Sequence, residues 1–111
     1  MNIININVKP LSINKCWAGR RFKTPEYKQY ESALLNLLPD IEIQYKERLS
    51  IEIDFGFSNS ASDIDNPLKP ILDILQKRFG FNDRDVYELK VKKKLTKKKE
   101  EYILIKIKDY D

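Results

Sequence analysis

Asp63-Ile64-Asp65-Asn66-Pro67-Leu68-Lys69, then Asp73, then Phe81-Asn82-Asp83-Arg84-Asp85-Val86, hold the residue types and spacing that can do chemistry in this 111-residue sequence. Asp63 and Asp65 are two apart, so in an extended segment both carboxylates point to the same side. Asp83 can join them if the chain between folds back so that the next strand starts near the same sheet edge, which a crossover unit of this length allows. Carboxylates drawn together repel and cannot all stay ionised at neutral pH without compensation. A divalent cation compensates them and takes hard oxygen ligands. The same ion can activate water and stabilise charge on a phosphoryl oxygen. Lys69, one helical turn beyond Asp65, can reach the same mouth and stabilise charge developing on a scissile phosphate or leaving oxygen. Asp73, one turn further, can pair with Lys69 and orient it. Asn66 is a good helix N-cap. Asp85 is either a supporting ligand or the polar start of a strand. Taken singly, each piece has an ordinary explanation, since an Asp-x-Asp pair is more often a turn or cap and a helix-face lysine usually faces solvent. The combination is what is specific.

The remaining composition narrows the chemistry. The sequence has no histidine, which excludes Ser-His-Asp and Cys-His triads and a His metal site. Its one cysteine, Cys16, excludes an internal disulfide and a thiolate zinc cluster. Any catalytic metal must therefore sit on oxygen, which points to Mg²⁺, Mn²⁺ or Ca²⁺. The length argues for a single domain over residues 1–111. The lone cysteine, the lack of a secretory leader and the lack of any apolar run near the ~20 residues of a bilayer span make the cytoplasm the default compartment.

The formal net charge of +4 is unevenly spread. Residues 1–30 carry six bases against Glu26, and residues 86–100 carry seven lysines against Glu88 and Glu100. Residues 31–62 carry two bases against six acids. Two basic zones around an acidic middle suggest a polyanion on one surface and another ligand at the acidic one. The plainer reading of Lys90–Lys99 is a solvated hairpin tip.

These residues need elements to place them. Asn2–Val8 alternates as a strand, and Pro10–Lys23 lacks periodicity and reads as a loop. Thr24-Pro25-Glu26 starts a helix with a capping hydroxyl, a proline in the first turn and an acid at the positive end of the dipole. Tyr27, Tyr30, Leu34, Leu37 and Leu38 fall on one face of that helix, and Pro39 stops it. Leu49–Phe57 is the cleanest strand, with one face buried. A second helix runs from about Pro67 to Phe79, with Leu68, Ile71, Leu72, Leu75 and Phe79 inward and Gly80 as its C-terminal cap. Tyr87–Lys92 and Ile103–Lys108 alternate and read as a hairpin. The order is β-α-β-α-β-β, an α+β fold: one mixed sheet with two helices packed on one side.

The motif D-x-D-N-x-x-K-x-x-x-D-x-L, followed by G-F-N-D-x-D-V, resembles the RusA family of Holliday-junction resolvases. Pro10-Leu11-Ser12-Ile13-Asn14, an aromatic and basic segment, and the Thr-Pro-x-Tyr-x-x-Tyr helix start resemble the family's opening. The resemblance covers nearly the whole chain. It implies a RusA-like fold and a homodimer that makes paired, symmetric, metal-dependent nicks in four-way junction DNA during recombination and repair. It implies Mg²⁺, with Mn²⁺ as the alternative, and no membrane or protein partner. Carried over by position, it places the essential acids and metal ligands on Asp63, Asp65 and Asp83 and the essential lysine on Lys69. The family often has two consecutive Asp in the last element, and Asn82 replaces the first here.

A junction binder needs phosphate contacts from Lys and Arg. Asn14, Lys15, Trp17, Arg20, Arg21 and Lys23 form one candidate surface, with Trp17 and Phe22 able to stack on opened bases or, alternatively, to pack on the first helix. Lys92, Lys93 and Lys94 form the second. The competing reading is a DNA-binding module of the same fold that cuts nothing and holds a structural metal or none. A structural Ca²⁺ protein would leave Lys69 and the basic zones unexplained.

Overall fold

Nine residues of alternating Ile/Phe and small or acidic side chains make β4 (Leu49–Phe57) the strand on which the sheet is built. The computed structural model describes residues 1–19 and 22–111. The main sheet has the order β1-β6-β4-β5, with β1 at Asn2–Ile6, β5 at Val86–Leu95 and β6 at Tyr102–Asp109. β6 is antiparallel to both β1 and β4, and β5 is parallel to β4. A two-stranded ribbon pairs β2 (Trp17–Ala18) with β3 (Phe22–Lys23) inside the segment read as a loop.

Both helices lie on one face. Ile4, Ile6, Ile51, Ile53, Phe55, Ile103, Ile105 and Ile107 share it by register and are buried against Tyr27 and Leu34 of α1 (Pro25–Leu37) and Ile71, Ile74, Leu75 and Phe79 of α2 (Leu68–Phe79). The opposite face carries Glu52, Asp54, Lys92 and Lys106. β4 itself is covered on both faces, because Ser50 and Asp54 are also buried. This corrects the expectation of a single buried face, and follows from its position between two neighbours whose long lysine and tyrosine side chains lie over it.

Local signals form as their residues dictate. The Thr24 hydroxyl accepts from the backbone N–H of Tyr27 at 3.1 Å, capping α1. Gly80 takes a left-handed conformation (φ 76°) and ends α2. Leu37 departs from its assigned face and is 57% exposed.

The final two strands do not form a hairpin. β4 lies between them and pairs with both, and the Thr96 N–H donates to the carbonyl of Phe57 where the connection passes the end of β4. β5 is thereby an edge strand, with Tyr87 and Leu89 exposed.

Candidate active site and nucleic-acid interface

The ten residues between β4 and α2 carry Asp63 and Asp65, and both are exposed. Asn59 organises the first part, its side-chain oxygen accepting from the Ala61 N–H at 2.9 Å and its carbonyl from the Ser62 N–H at 3.2 Å. Asn66 is not the N-cap of α2. Pro67 takes that position, with no side-chain capping bond. The Asn66 side-chain amide instead donates to Asp63 Oδ2 at 3.2 Å, and the Asn66 backbone carbonyl accepts from the Ile13 N–H at 2.8 Å. The residue expected to cap the helix thus orients an acid and ties the basic N-terminal segment to the site.

Lys69, Asp73 and Gln76 recur at helical spacing along one face of α2, and Asp65 lies in the loop three residues before it. The Lys69–Asp73 pair forms, at 2.9 Å. Hydrogen bonding to Asp73 and the charge of Asp73 hold the Lys69 ammonium above its usual pKa, and Asp83 adds to this. Asp83 opens a short 3₁₀ turn (Asp83–Asp85), where its backbone N–H donates to Gln76 Oε1 at 3.0 Å. Asn82 caps that turn by accepting from the Arg84 N–H at 3.0 Å. Asp85 accepts from the Tyr45 hydroxyl at 2.7 Å, an interaction that raises the Tyr45 pKa.

The crossover does fold back, but it returns the chain to the start of β4, where Val86 lies opposite Leu49, while Asp63 follows the other end of that strand. A 12-residue helix is about 18 Å long, and most of α2 separates the Asp63–Asp65 loop from Asp83, which lies beside Gln76 and near enough to Lys69 to act on its charge. Among the described residues, no three acidic or cysteine side chains are grouped closely enough to hold one metal ion as they stand. The donor chemistry nevertheless suits Mg²⁺, which keeps several waters and is commonly held by one or two carboxylates together with substrate phosphate. Asp63 and Asp65, exposed and two residues apart, meet that need.

Asp63 and Asn66 also line a cleft of about 700 Å³. Its walls include Lys9, Leu11, Lys15, Tyr30 and Phe57. Lys15 therefore opens onto the same space as Asp63. The Tyr30 hydroxyl is buried, and burial drives its pKa up.

The expected DNA-contact residues divide. Asn14 and Lys15 are exposed on a 3₁₀ turn (Ile13–Lys15). Trp17 packs edge-on against Tyr27 at 5.8 Å but is still 38% exposed, and Phe22 is 73% exposed. Lys23 is engaged by Glu31 at 3.1 Å. Arg20 and Arg21 lie outside the described residues. Lys92 pairs with Glu52 at 2.9 Å. Lys93 donates to the carbonyls of Ser60 and Ser62, and Lys94 is exposed. Gln76, Tyr45 and the bond from Asn66 to Asp63 were not foreseen. Of these only Gln76 had a sequence signal, its place on the Lys69–Asp73 stripe.

Fold and site together define a small α+β protein in which acids and one lysine flank a crossover helix beside cationic loops. The sequence model of the endodeoxyribonuclease RusA family matches residues 11–108, and the chain belongs to that family. Asp63, Asp65, Lys69 and Asp83 all lie within the matched span. No curated protein matches the chain significantly.

Proposed function

We propose that this protein is a Mg²⁺-dependent endodeoxyribonuclease that resolves four-way DNA junctions by paired symmetric hydrolysis, acting as a homodimer in recombination and repair. The observation that carries the reading is membership of the RusA family over a span that includes Asp63, Asp65, Lys69 and Asp83. Mn²⁺ is the alternative ion. Residues 1–111 are read as a single domain of this family.

Asp63 and Asp65 hold the ion, with Asp63 oriented by Asn66. A bound divalent ion supplies Lewis acidity at the phosphoryl oxygen and lowers the pKa of coordinated water. Lys69, held in place by Asp73, presents a fixed positive charge to the phosphate or leaving oxygen. Asp83, on the far side of Lys69, is the third acid of the set. The basic segment around Asn14 and Lys15 adjoins the cleft beside Asp63 and receives the DNA backbone. In a two-fold dimer each surface occurs twice, matching the symmetry of a four-way junction.

The test uses a synthetic four-way junction, a linear duplex and single strands, with and without Mg²⁺. Paired nicks are expected in the junction alone and only with metal. Cutting that persists in EDTA removes the metal from the reading. The separation of Asp83 from Asp63 is what favours the competing reading, a DNA-binding module that does not cut. That reading predicts junction binding with no nicks at any Mg²⁺ or Mn²⁺ concentration.

A further inference from the structure

β5 breaks its own apolar pattern at Lys93. Register sets Val91 opposite Ile53, Lys93 opposite Phe55 and Leu95 opposite Phe57. Lys93 therefore emerges on the face that the helices cover, between two apolar residues. This end of the face is open, with Lys93 and Leu95 both exposed, yet the Lys93 side chain is engaged and does not extend into solvent. Its ammonium lies 5.9 Å from the centroid of the Phe57 ring and donates to the carbonyl of Ser60 at 2.7 Å and to that of Ser62. The residue after Ser62 is Asp63, and Asp63 is held from its other side by Asn66.

We propose that Lys93 is a positioning residue for Asp63. It latches the backbone immediately before that acid to the edge of the sheet, so that the Asp63 carboxylate starts from a fixed point. Asn59 shapes the loop from within, and Lys93 docks the shaped loop onto β5. The catalytic consequence rests on the nuclease reading, but the latch itself does not. The role differs from the phosphate contact that a lysine in this basic run suggests, because two of its three donors are already committed to main-chain carbonyls.

The experiment compares wild type, Lys93→Met and Lys93→Arg. Methionine keeps length and suits an apolar face, and arginine keeps donors. Hydrogen exchange across residues 58–66 is expected to accelerate about tenfold or more in K93M and to stay near wild type in K93R. With protein saturating over a four-way junction, K93M is expected to cut roughly 10–100-fold more slowly and to need more Mg²⁺, with K93R recovering most of the rate. Junction affinity and its salt dependence should not move. Unchanged exchange at 58–66 in K93M overturns the latch. Faster exchange with a wild-type saturated rate overturns the positioning role. Weakened binding with a salt slope lower by about 1 and a normal saturated rate would make Lys93 a phosphate contact instead. If wild type itself does not cut, the nuclease reading fails, and the exchange comparison still decides the latch.

Discussion

Lys69 is committed before any substrate arrives. Asp73 holds its ammonium at 2.9 Å and moves its pKa further above the neutral range, where a lysine is already a cation. Both side chains are well exposed, so the pair should add only about 0.3–0.5 kcal/mol to stability. Stability from a raised lysine pKa is present below the unfolded value and lost only as pH rises through the folded one, far above neutrality. The value of the pair is orientation. Lys69→Ala should slow cutting about 10²–10³-fold with junction binding intact. Asp73→Asn should give a rate between that variant and wild type, with the melting temperature nearly unchanged. A D73N protein that cuts as well as wild type would show that the pairing does not matter. A different single-residue limit operates at Gly56. A Cβ there would lie 2.3 Å from Tyr102 Cδ1 and Cε1, so the ring covering the central strand must move. Gly56→Ala should cost about 1–3 kcal/mol, read as a lower urea midpoint with an unchanged slope.

Elements are joined here by a few charged contacts over an apolar core. Glu31 of α1 accepts from Lys23 of β3 through both oxygens at 3.1 Å and pairs with Lys77 of α2 at 3.4 Å. Burial alone pushes the Glu31 carboxyl up, but the two ammonium groups outweigh it and hold it below its ordinary 4.5. A depressed carboxyl contributes stability above the unfolded pKa, and that contribution is lost as pH falls through the folded value. Glu31→Gln should therefore cost about 1 kcal/mol at pH 7. The gap between variant and wild type, followed by urea denaturation, should hold down to about pH 4.5 and narrow below it. A gap independent of pH would mean that shape, not charge, joins these elements.

Legibility in the sequence followed the range of the interactions. Thr24 with Pro25, the alternation of Leu49–Phe57 and Gly80 after a helical stripe are local signals, and each gave its element. The hairpin reading of the last two strands failed because β4 separates them, and a pairing between residues 49–57 and 86–95 leaves no trace in either segment alone. Asp63, Asp65 and Lys69 stand within seven residues of one another, so as candidates they could be picked out from local spacing alone. The separation of Asp83 from that pair, the turn of Asn66 toward Asp63 and the latch of Lys93 depend on the parallel crossover, which spacing cannot specify.

On the scale of the whole molecule, the two basic zones are smaller than their residue counts imply. Lys23, Lys92 and Lys93 sit in those zones but are engaged by Glu31, Glu52 and the Ser60 and Ser62 carbonyls. Lys15 and Lys94 are exposed, one at the cleft beside Asp63 and the other on the edge strand. Binding to junction DNA releases counterions in proportion to the phosphates neutralised, about 0.9 per contact for duplex. Only cations that are free to reach phosphate should contribute. Lys15→Ala and Lys94→Ala should each lower the slope of log affinity against log salt by about 1 and weaken binding at every salt concentration. Lys92→Ala should leave that slope nearly unchanged, because the ammonium it removes already neutralises Glu52. The measurement is a junction titration at several salt concentrations in EDTA, so that cutting does not intervene. If all three variants lower the slope equally, DNA draws Lys92 away from Glu52, and the ion pair seen in the free protein does not survive in the complex.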